Sequence, residues 1–131
     1  MTNRPASARP RVAVLADDLI WASRLSDIVG RAGGEPVRLR SAALLRASLT
    51  TLDGCIVDLT ARSYDGIACV GVVAAAHVSC VAVGQHDDAD ERQAAREAGA
   101  AKVYTYRALF EHGDRELAPW VAGLRQAGGP G

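Results

Sequence analysis

Short, nearly continuous apolar runs recur along this 131-residue chain, and stretches with helical periodicity separate them. The run Val78-Ser-Cys-Val-Ala-Val83 is typical, because it offers apolar side chains to both faces of a strand. Strands that are apolar on both faces indicate a parallel sheet covered by helices on each side. The alternation of strands and helices predicts right-handed crossovers. We therefore expect an α/β fold, a three-layer, doubly wound, five-stranded parallel sheet in the flavodoxin-like order 2-1-3-4-5.

The boundaries of the elements follow from where each pattern starts and stops. The expected strands cover residues 11–16, 36–39, 54–59, 78–83 and 102–106. The expected helices cover residues 19–32, 41–48, 66–76, 88–98 and 117–126. The buried face of the first helix is expected to consist of Ile20, Leu25, Ile28 and Val29. Ser41 is expected to cap the second helix. These elements form one domain at 10–126, between a disordered arm at 1–9 and a flexible tail at 127–131.

Composition argues against several classes of protein. The chain has 15 Lys and Arg against 15 Asp and Glu, whereas a dedicated nucleic-acid binder needs a basic surface. No apolar run approaches the roughly 20 residues of a membrane span, and the N-terminus lacks the apolar centre of a secretion signal. Cys55, Cys69 and Cys80 show no CxxC spacing. We therefore expect buried, reduced thiols in a cytoplasmic protein rather than a zinc site.

Three aspartates stand where predicted strands end. Asp17 and Asp18 follow the first strand, and Asp58 follows the apolar run of the third. In the expected order the carboxyl ends of strands 1 and 3 are adjacent, so the three carboxylates should share one site. Buried carboxylates need compensation, which a divalent cation would supply. The simpler alternatives are that the pair caps the first helix and that Asp58 is a solvated acid at a strand end.

Residues 11–126 resemble the receiver domain of bacterial two-component response regulators. The acidic pair after strand 1 is the first point of resemblance. The second is the run Asp58-Leu-Thr-Ala-Arg-Ser-Tyr-Asp-Gly66, which keeps the family's spacing from the phosphoacceptor aspartate to an Asp-Gly turn. The third is Glu97-Ala-Gly-Ala100, which is similar to the family's Ala-Gly-Ala turn before strand 5.

The resemblance implies that Asp58 is the phosphoacceptor of a phosphorelay. It also implies that Asp17, Asp18 and Asp58 bind Mg²⁺, with the backbone carbonyl of Thr60 as a further ligand. A hard cation suits a site of three carboxylates, and it would offset the charge of an incoming phosphoryl group. The implied partners are a sensor histidine kinase or phosphotransfer protein and a downstream protein.

The chain departs from the family where a receiver binds the phosphoryl group. Gly84 stands at the end of strand 4, where receivers usually place a Ser or Thr hydroxyl. Tyr106-Arg107 stands where Lys-Pro usually ends strand 5. With a one-residue insertion, Arg107 would take the Lys place and Tyr104 the aromatic switch position. These four residues are the candidate phosphate-contact or switch residues, although arginine is not equivalent to lysine at a tight site.

Two functions remain open. The first is a stand-alone receiver-like signalling module that is phosphorylated on Asp58 and acts through protein contact, with a homodimer through helix 4, strand 5 and helix 5 as one form of it. The second is a pseudo-receiver, an interaction or dimerisation module that works without phosphorylation. An enzyme is not expected on this fold, because two carboxylates after strand 1 would repel a flavin phosphate. Trp21 is left open between a partner surface and packing under the arm.

Overall fold

A computed structural model describes residues 9–85 and 88–127 of the chain. Within these residues five parallel strands form one sheet in the order β2-β1-β3-β4-β5. The strands are β1 (Arg11–Leu15), β2 (Glu35–Leu39), β3 (Gly54–Asp58), β4 (Ser79–Gly84) and β5 (Lys102–Thr105). The predicted class and strand order are confirmed. Apart from Arg9 and Ala127, the predicted arm and tail lie outside the described residues.

Helices cover both faces of the sheet, as three layers require. They are α1 (Leu19–Arg31), α2 (Ala42–Ser48), α3 (Gly66–Ala75), α4 (Ala89–Ala98) and α5 (Tyr106–Ala127), with a 3-10 turn at Leu49–Thr51. Helices α1 and α5 pack on one face of the sheet, and α2, α3 and α4 pack on the other. Across the part of the chain that the structure describes, no helix combines the length and the apolar character needed to cross a bilayer.

The sheet divides the core into two clusters. Val12 and Val14 of β1 face the layer of α1 and α5, whereas Ala13 and Leu15 face the opposite layer. Strands β1, β3 and β4 are buried on both faces, which explains their nearly continuous apolar sequences. The edge strands β2 and β5 are more exposed. The site described below lies at the carboxyl ends of the central strands.

The three cysteines are buried free thiols, as the sequence predicted. All three lie in the core cluster under α2, α3 and α4, and Cys55 is paired in register with Cys80 across β3 and β4. Burial raises the pKa of each thiol, and it raises the pKa of Cys80 to about 12. The thiols therefore stay protonated at neutral pH and act as small apolar core side chains.

Polar side chains fix where the first four helices begin. Each accepts a hydrogen bond from at least one amide in the first turn of its helix, and these residues are Asp18, Ser41, Asp65 and Asp88. Such bonds satisfy amides that have no partner within the helix. The prediction that Ser41 caps the second helix is confirmed.

The predicted buried face of α1 is correct except at one residue. Leu25, Ile28 and Val29 are buried, but Ile20 is 66% exposed. At about 100° per residue, Ile20 lies roughly 140° around the helix from Leu25, outside the arc that faces the sheet.

Helix α5 differs most from its prediction. It was expected at 117–126 but begins at Tyr106, directly after β5. The Thr105 hydroxyl accepts a hydrogen bond from the Ala108 amide, 3.1 Å away, and so caps the new start. The backbone of His112 is non-helical (φ −139°, ψ 16°), which kinks the helix. The kink breaks the apolar periodicity, so the sequence predicted only the part after it.

Gly99 offers a test of the packing between α3 and α4. It has φ 123°, and a Cβ at this position would overlap with the Ala74 Cβ. We expect Gly99→Ala to lower the free energy of unfolding by about 2–4 kcal/mol, because it adds backbone strain and a steric overlap. Urea unfolding measures the change.

Gly71→Ala is the matched control for this prediction. Gly71 lies inside α3, and nothing lies within 4 Å of a Cβ at that position. The control should be neutral or should stabilise the fold by about 0.5–1 kcal/mol. Equal losses in the two variants would contradict the packing described here.

Candidate functional site

The carboxyl ends of β1 and β3 lie side by side. Leu15, the last residue of β1, is paired in register with Val57 in β3. Asp58 therefore closes β3 next to the turn that carries Asp17 and Asp18, as the sequence predicted for adjacent strands.

The Asp58 side chain is completely buried, with 0% exposure. Its Oδ1 accepts hydrogen bonds from the Thr60 amide (2.8 Å) and the Thr60 hydroxyl (2.7 Å). Its Oδ2 has no hydrogen-bond partner among residues 9–85 and 88–127. The alternative that Asp58 is a solvated acid is therefore wrong. One carboxylate oxygen is satisfied, and the other is buried without a donor.

Tyr64 joins the two strand ends. Its hydroxyl lies 2.8 Å from the Leu15 carbonyl oxygen and 2.9 Å from the Asp58 carbonyl oxygen. A phenol has one proton, so the two carbonyls share one donor. Burial, and then the charges of Asp58 and Asp17, raise the pKa of Tyr64, which keeps the phenol protonated. Sequence reasoning gave Tyr64 no role, because no local pattern distinguishes it from an ordinary core aromatic residue.

Asp17 fixes the loop that follows β3. Its Oδ2 accepts hydrogen bonds from the amides of Arg62 (3.1 Å) and Ser63 (3.0 Å). Partial desolvation acts to raise the pKa of Asp17, but the hydrogen bonds from Ser63 and Arg62 outweigh it and lower the pKa. Asp17 thus ties the turn after β1 to the loop that carries Thr60.

Asp18 is the cap of α1. Its Oδ1 accepts hydrogen bonds from the amides of Ile20 (2.9 Å) and Trp21 (3.1 Å). The helix-capping alternative is therefore confirmed for Asp18, whereas Asp17 plays no part in that cap.

A cavity of about 390 Å³ opens beside these residues. Its lining consists of Asp17, Asp18, Trp21, Thr60, Arg62 and Gln85. Asp58, which is completely buried, is not part of this lining. Within the residues that the structure describes, no three His, Cys, Asp or Glu side chains are arranged to hold a metal ion. As they stand, these side chains do not fit the three-carboxylate magnesium site that the resemblance implies.

Tyr106, which the sequence resemblance matches to the usual lysine of receivers, lies beside the Asp58 carboxylate. It is buried, and its hydroxyl has no hydrogen-bond partner among the described residues. The pKa of Tyr106 is raised, first by burial and then by the charge of Asp58. Thr60 has a smaller, opposite effect. Gly84 is also buried at the end of β4 and offers no hydroxyl. The surroundings of Asp58 therefore provide a neutral phenol.

The other two phosphate-contact candidates lie elsewhere. The Arg107 side chain is 86% exposed, and its Nε lies 3.1 Å from Glu111 Oε1. Tyr104 is partly buried on β5, where the Lys102 ammonium group lies 5.9 Å from its ring centre. Of the four candidates, the structure thus brings Tyr106 to the Asp58 carboxylate and leaves Arg107 in solvent.

Three aromatic side chains form a stack between α1 and α5, and we call Trp21, Tyr106 and Phe110 the aromatic cluster. The ring centre of Trp21 lies 4.2 Å from that of Tyr106 and 5.1 Å from that of Phe110. The ring centres of Tyr106 and Phe110 are 5.4 Å apart. The indole of Trp21 packs against α5 and stays partly buried. The partner-surface alternative for Trp21 stays open, and the alternative of packing under the arm concerns residues that, apart from Arg9, lie outside the described residues. Phe110 was missed in the sequence because the first part of α5 was missed.

Comparisons with known proteins identify the fold. No protein-family model and no curated protein matches this sequence. A CheY-like receiver domain protein from Methanospirillum hungatei JF-1 matches with a TM-score of 0.74 and 14% identity, over 92% of this chain and 100% of that chain. A LuxR-family two-component response regulator from Aurantimonas sp. SI85-9A1 matches with a TM-score of 0.75 and 20% identity, over 88% and 87%.

The response regulator Rcp1, in its Mn²⁺-bound form, matches with a TM-score of 0.70 and 14% identity, over 86% of this chain and 94% of that chain. Such low identities over most of the chain are evidence of fold and not of a shared reaction. The chain has the CheY-like receiver fold of two-component response regulators.

Proposed function

We propose that this chain is a pseudo-receiver, a signalling module with the receiver fold that acts through protein contact without phosphoryl transfer at Asp58. The receiver fold supports a two-component signalling role. The observation that carries the proposal is that the Asp58 carboxylate is completely buried beside the phenol of Tyr106.

Charge is the first physical reason. A phosphoryl group on Asp58 would carry a charge of roughly −2. A buried anion of this kind needs cations or several hydrogen-bond donors. Here the end of β4 offers Gly84, and Arg107 pairs with Glu111 in solvent. Arg62 lines the neighbouring cavity, but no cationic side chain among the described residues forms an ion pair with Asp58, so the compensation that an acyl phosphate requires is not in place.

Access is the second reason. Asp58 Oδ2 is the oxygen without a partner, so it is the atom that would attack phosphorus. It has no exposed surface, and a phosphodonor would have to displace buried side chains to reach it. A nucleophile must be within contact distance of the reacting atom, and the closed geometry does not allow that.

A protein partner fits the surface of β5 and α5. A cleft of about 480 Å³ lies there, and Lys102, Tyr104, Arg115 and Trp120 contribute to its lining. Aromatic and arginine side chains are enriched at protein interfaces. The partner in this proposal is a second copy of the chain or a downstream signalling protein. The three buried free thiols favour a reducing compartment such as the cytoplasm.

A phosphorelay receiver is the second candidate, and one observation favours it. Asp58 Oδ2 lacks a partner, and the neighbouring cavity contains Asp17, Asp18 and Thr60. In this candidate Asp58 is the phosphoacceptor and Mg²⁺ offsets the phosphoryl charge. It requires a rearrangement that joins Asp58 to the cavity.

The two candidates differ in their reaction with a small phosphodonor. We expect no phosphoryl adduct on the wild-type protein after incubation with acetyl phosphate and Mg²⁺. The reason is that Asp58 is completely buried and forms no ion pair with a cationic side chain among the described residues. Intact-mass spectrometry measures the adduct, and a conventional receiver in the same tube verifies the donor. A mass gain of one phosphoryl group that is absent from Asp58→Asn would establish the phosphorelay candidate instead.

Metal binding is tested separately through Trp21, which lines the cavity with Asp17 and Asp18. In a Trp120→Phe background, Trp21 is the only remaining tryptophan, so the fluorescence comes from the wall of this cavity. We expect Mg²⁺ to cause no saturable change in its fluorescence and no rise in the melting temperature, because the described carboxylates are not arranged to hold an ion. A ligand that bound the native state would raise the melting temperature. A saturable response that Asp17→Asn removes would speak for the metal site.

A further inference from the structure

The first part of α5, residues 106–111, is set apart from the rest of the helix. It starts directly after β5 and ends at His112, where the backbone leaves helical geometry. Gly113 begins the second part and packs closely on α1, since a Cβ at this position would lie 2.9 Å from the Ile28 side chain. The two parts are therefore anchored separately. Residues at the ends of elements are the usual hinges of moving segments.

The aromatic cluster is what holds residues 106–111 against α1. Trp21 and Phe110 are stacked with an interplanar angle of 6°. The guanidinium carbon of Arg24 lies 5.8 Å from the Trp21 ring centre and 5.2 Å from that of Phe110, so it adds a cation–π contact to the same stack. Leu109 is fully buried beneath. The contacts that hold residues 106–111 against α1 are thus mostly aromatic and apolar. Among the described residues, no ion pair joins this segment to α1.

This segment also starts at the edge of the sheet that carries Asp58, since Tyr106 directly follows β5 and Asp58 is the last residue of β3 in the same parallel sheet. Tyr106 is in the aromatic cluster and beside the Asp58 carboxylate at once. Trp21 is in the same cluster and in the wall of the cavity that contains Asp17 and Thr60. A movement of residues 106–111 away from α1 would therefore uncover Asp58 and widen the cavity in a single step.

We propose that residues 106–111 form a lid that turns at His112 and that the aromatic cluster holds closed over Asp58. This structure shows the closed lid. In the open form, Asp58 meets the cavity lined by Asp17 and Thr60. The lid rests on the proposed pseudo-receiver function in one respect, because the closed lid is what makes Asp58 unreactive. Opening of the lid is nevertheless measured without any phosphodonor.

Opening is rare in the resting protein, because it exposes Tyr106 and Leu109, which are buried in the closed form. Rare local openings of this kind are detected by amide hydrogen exchange and not by an average structure. A partner that binds only the open form would raise its population by mass action.

Residue-resolved hydrogen exchange by NMR tests the lid. In the wild-type protein we expect the amides of residues 109–111 to exchange at least ~10-fold faster than the amide of Val121 in the second part of α5. Phe110→Leu keeps the segment apolar but removes the stack on Trp21. It should speed exchange at 109–111 by about 3- to 10-fold, as loss of one aromatic contact predicts, and leave Val121 unchanged.

The Thr60 amide links the lid to the buried acid, because it donates to Asp58 Oδ1. Its exchange should rise with that of the lid in Phe110→Leu. Tyr104→Leu is the matched control, since Tyr104 is an aromatic residue of β5 outside the cluster, and it should not change exchange at 109–111 or at Thr60. Trp21→Phe, which shortens the same stack from the α1 side, should repeat the effect of Phe110→Leu.

Two results would overturn the lid. One is unchanged exchange at 109–111 in both Phe110→Leu and Trp21→Phe. The other is faster exchange at 109–111 that Thr60 does not share, since the segment would then move without uncovering Asp58. A phosphoryl adduct on the wild-type protein would refute the pseudo-receiver function and would leave these exchange results as they stand.

Discussion

A buried carboxylate with one satisfied oxygen is the constraint on which the rest of the site depends. Asp58 has no exposed surface, and a carboxylate at this depth destabilises a fold unless its neighbours compensate it. Thr60 gives two hydrogen bonds to one oxygen, and Tyr106 lies next to the carboxylate. Asp17 holds the loop that carries Thr60, and Tyr64 holds the strand ends together. The surroundings of a single side chain thus join β1, β3, the loop after β3 and the start of α5.

The same acidic residues that suggest a metal site carry structural roles in this chain. Asp18 caps α1, and Asp17 accepts hydrogen bonds from two loop amides. Both carboxylates therefore already have hydrogen-bond partners within the protein. At the two positions that the sequence resemblance matches to phosphoryl-contacting residues of receivers, this chain has Gly84 and Tyr106. The chain has the receiver fold, and in the proposed function it acts through protein contact and not through phosphoryl transfer at Asp58.

Much of this structure could be predicted from the sequence, and the parts that could not have two physical causes. Buried strands and strand-end acids leave local patterns, so the sheet order and the placement of Asp58 were predictable. The start of α5 was not predictable, because the kink at His112 interrupts the helical spacing of apolar residues and a hydroxyl cap at Thr105 begins the helix. The roles of Tyr64 and Phe110 depend on which distant residues they meet, Leu15 in one case and Trp21 in the other. Such contacts exist only after the fold has formed.

The most direct test of the central claim is a double-mutant cycle between Asp58→Asn and Tyr106→Phe, measured as free energies of unfolding in urea. Because the charge of Asp58 acts on the Tyr106 phenol at a buried position, the two losses should not be additive, and the expected coupling energy is about 1–3 kcal/mol. A coupling energy below about 0.3–0.5 kcal/mol, the scatter expected for independent sites, would show that the two residues act separately and would contradict the account.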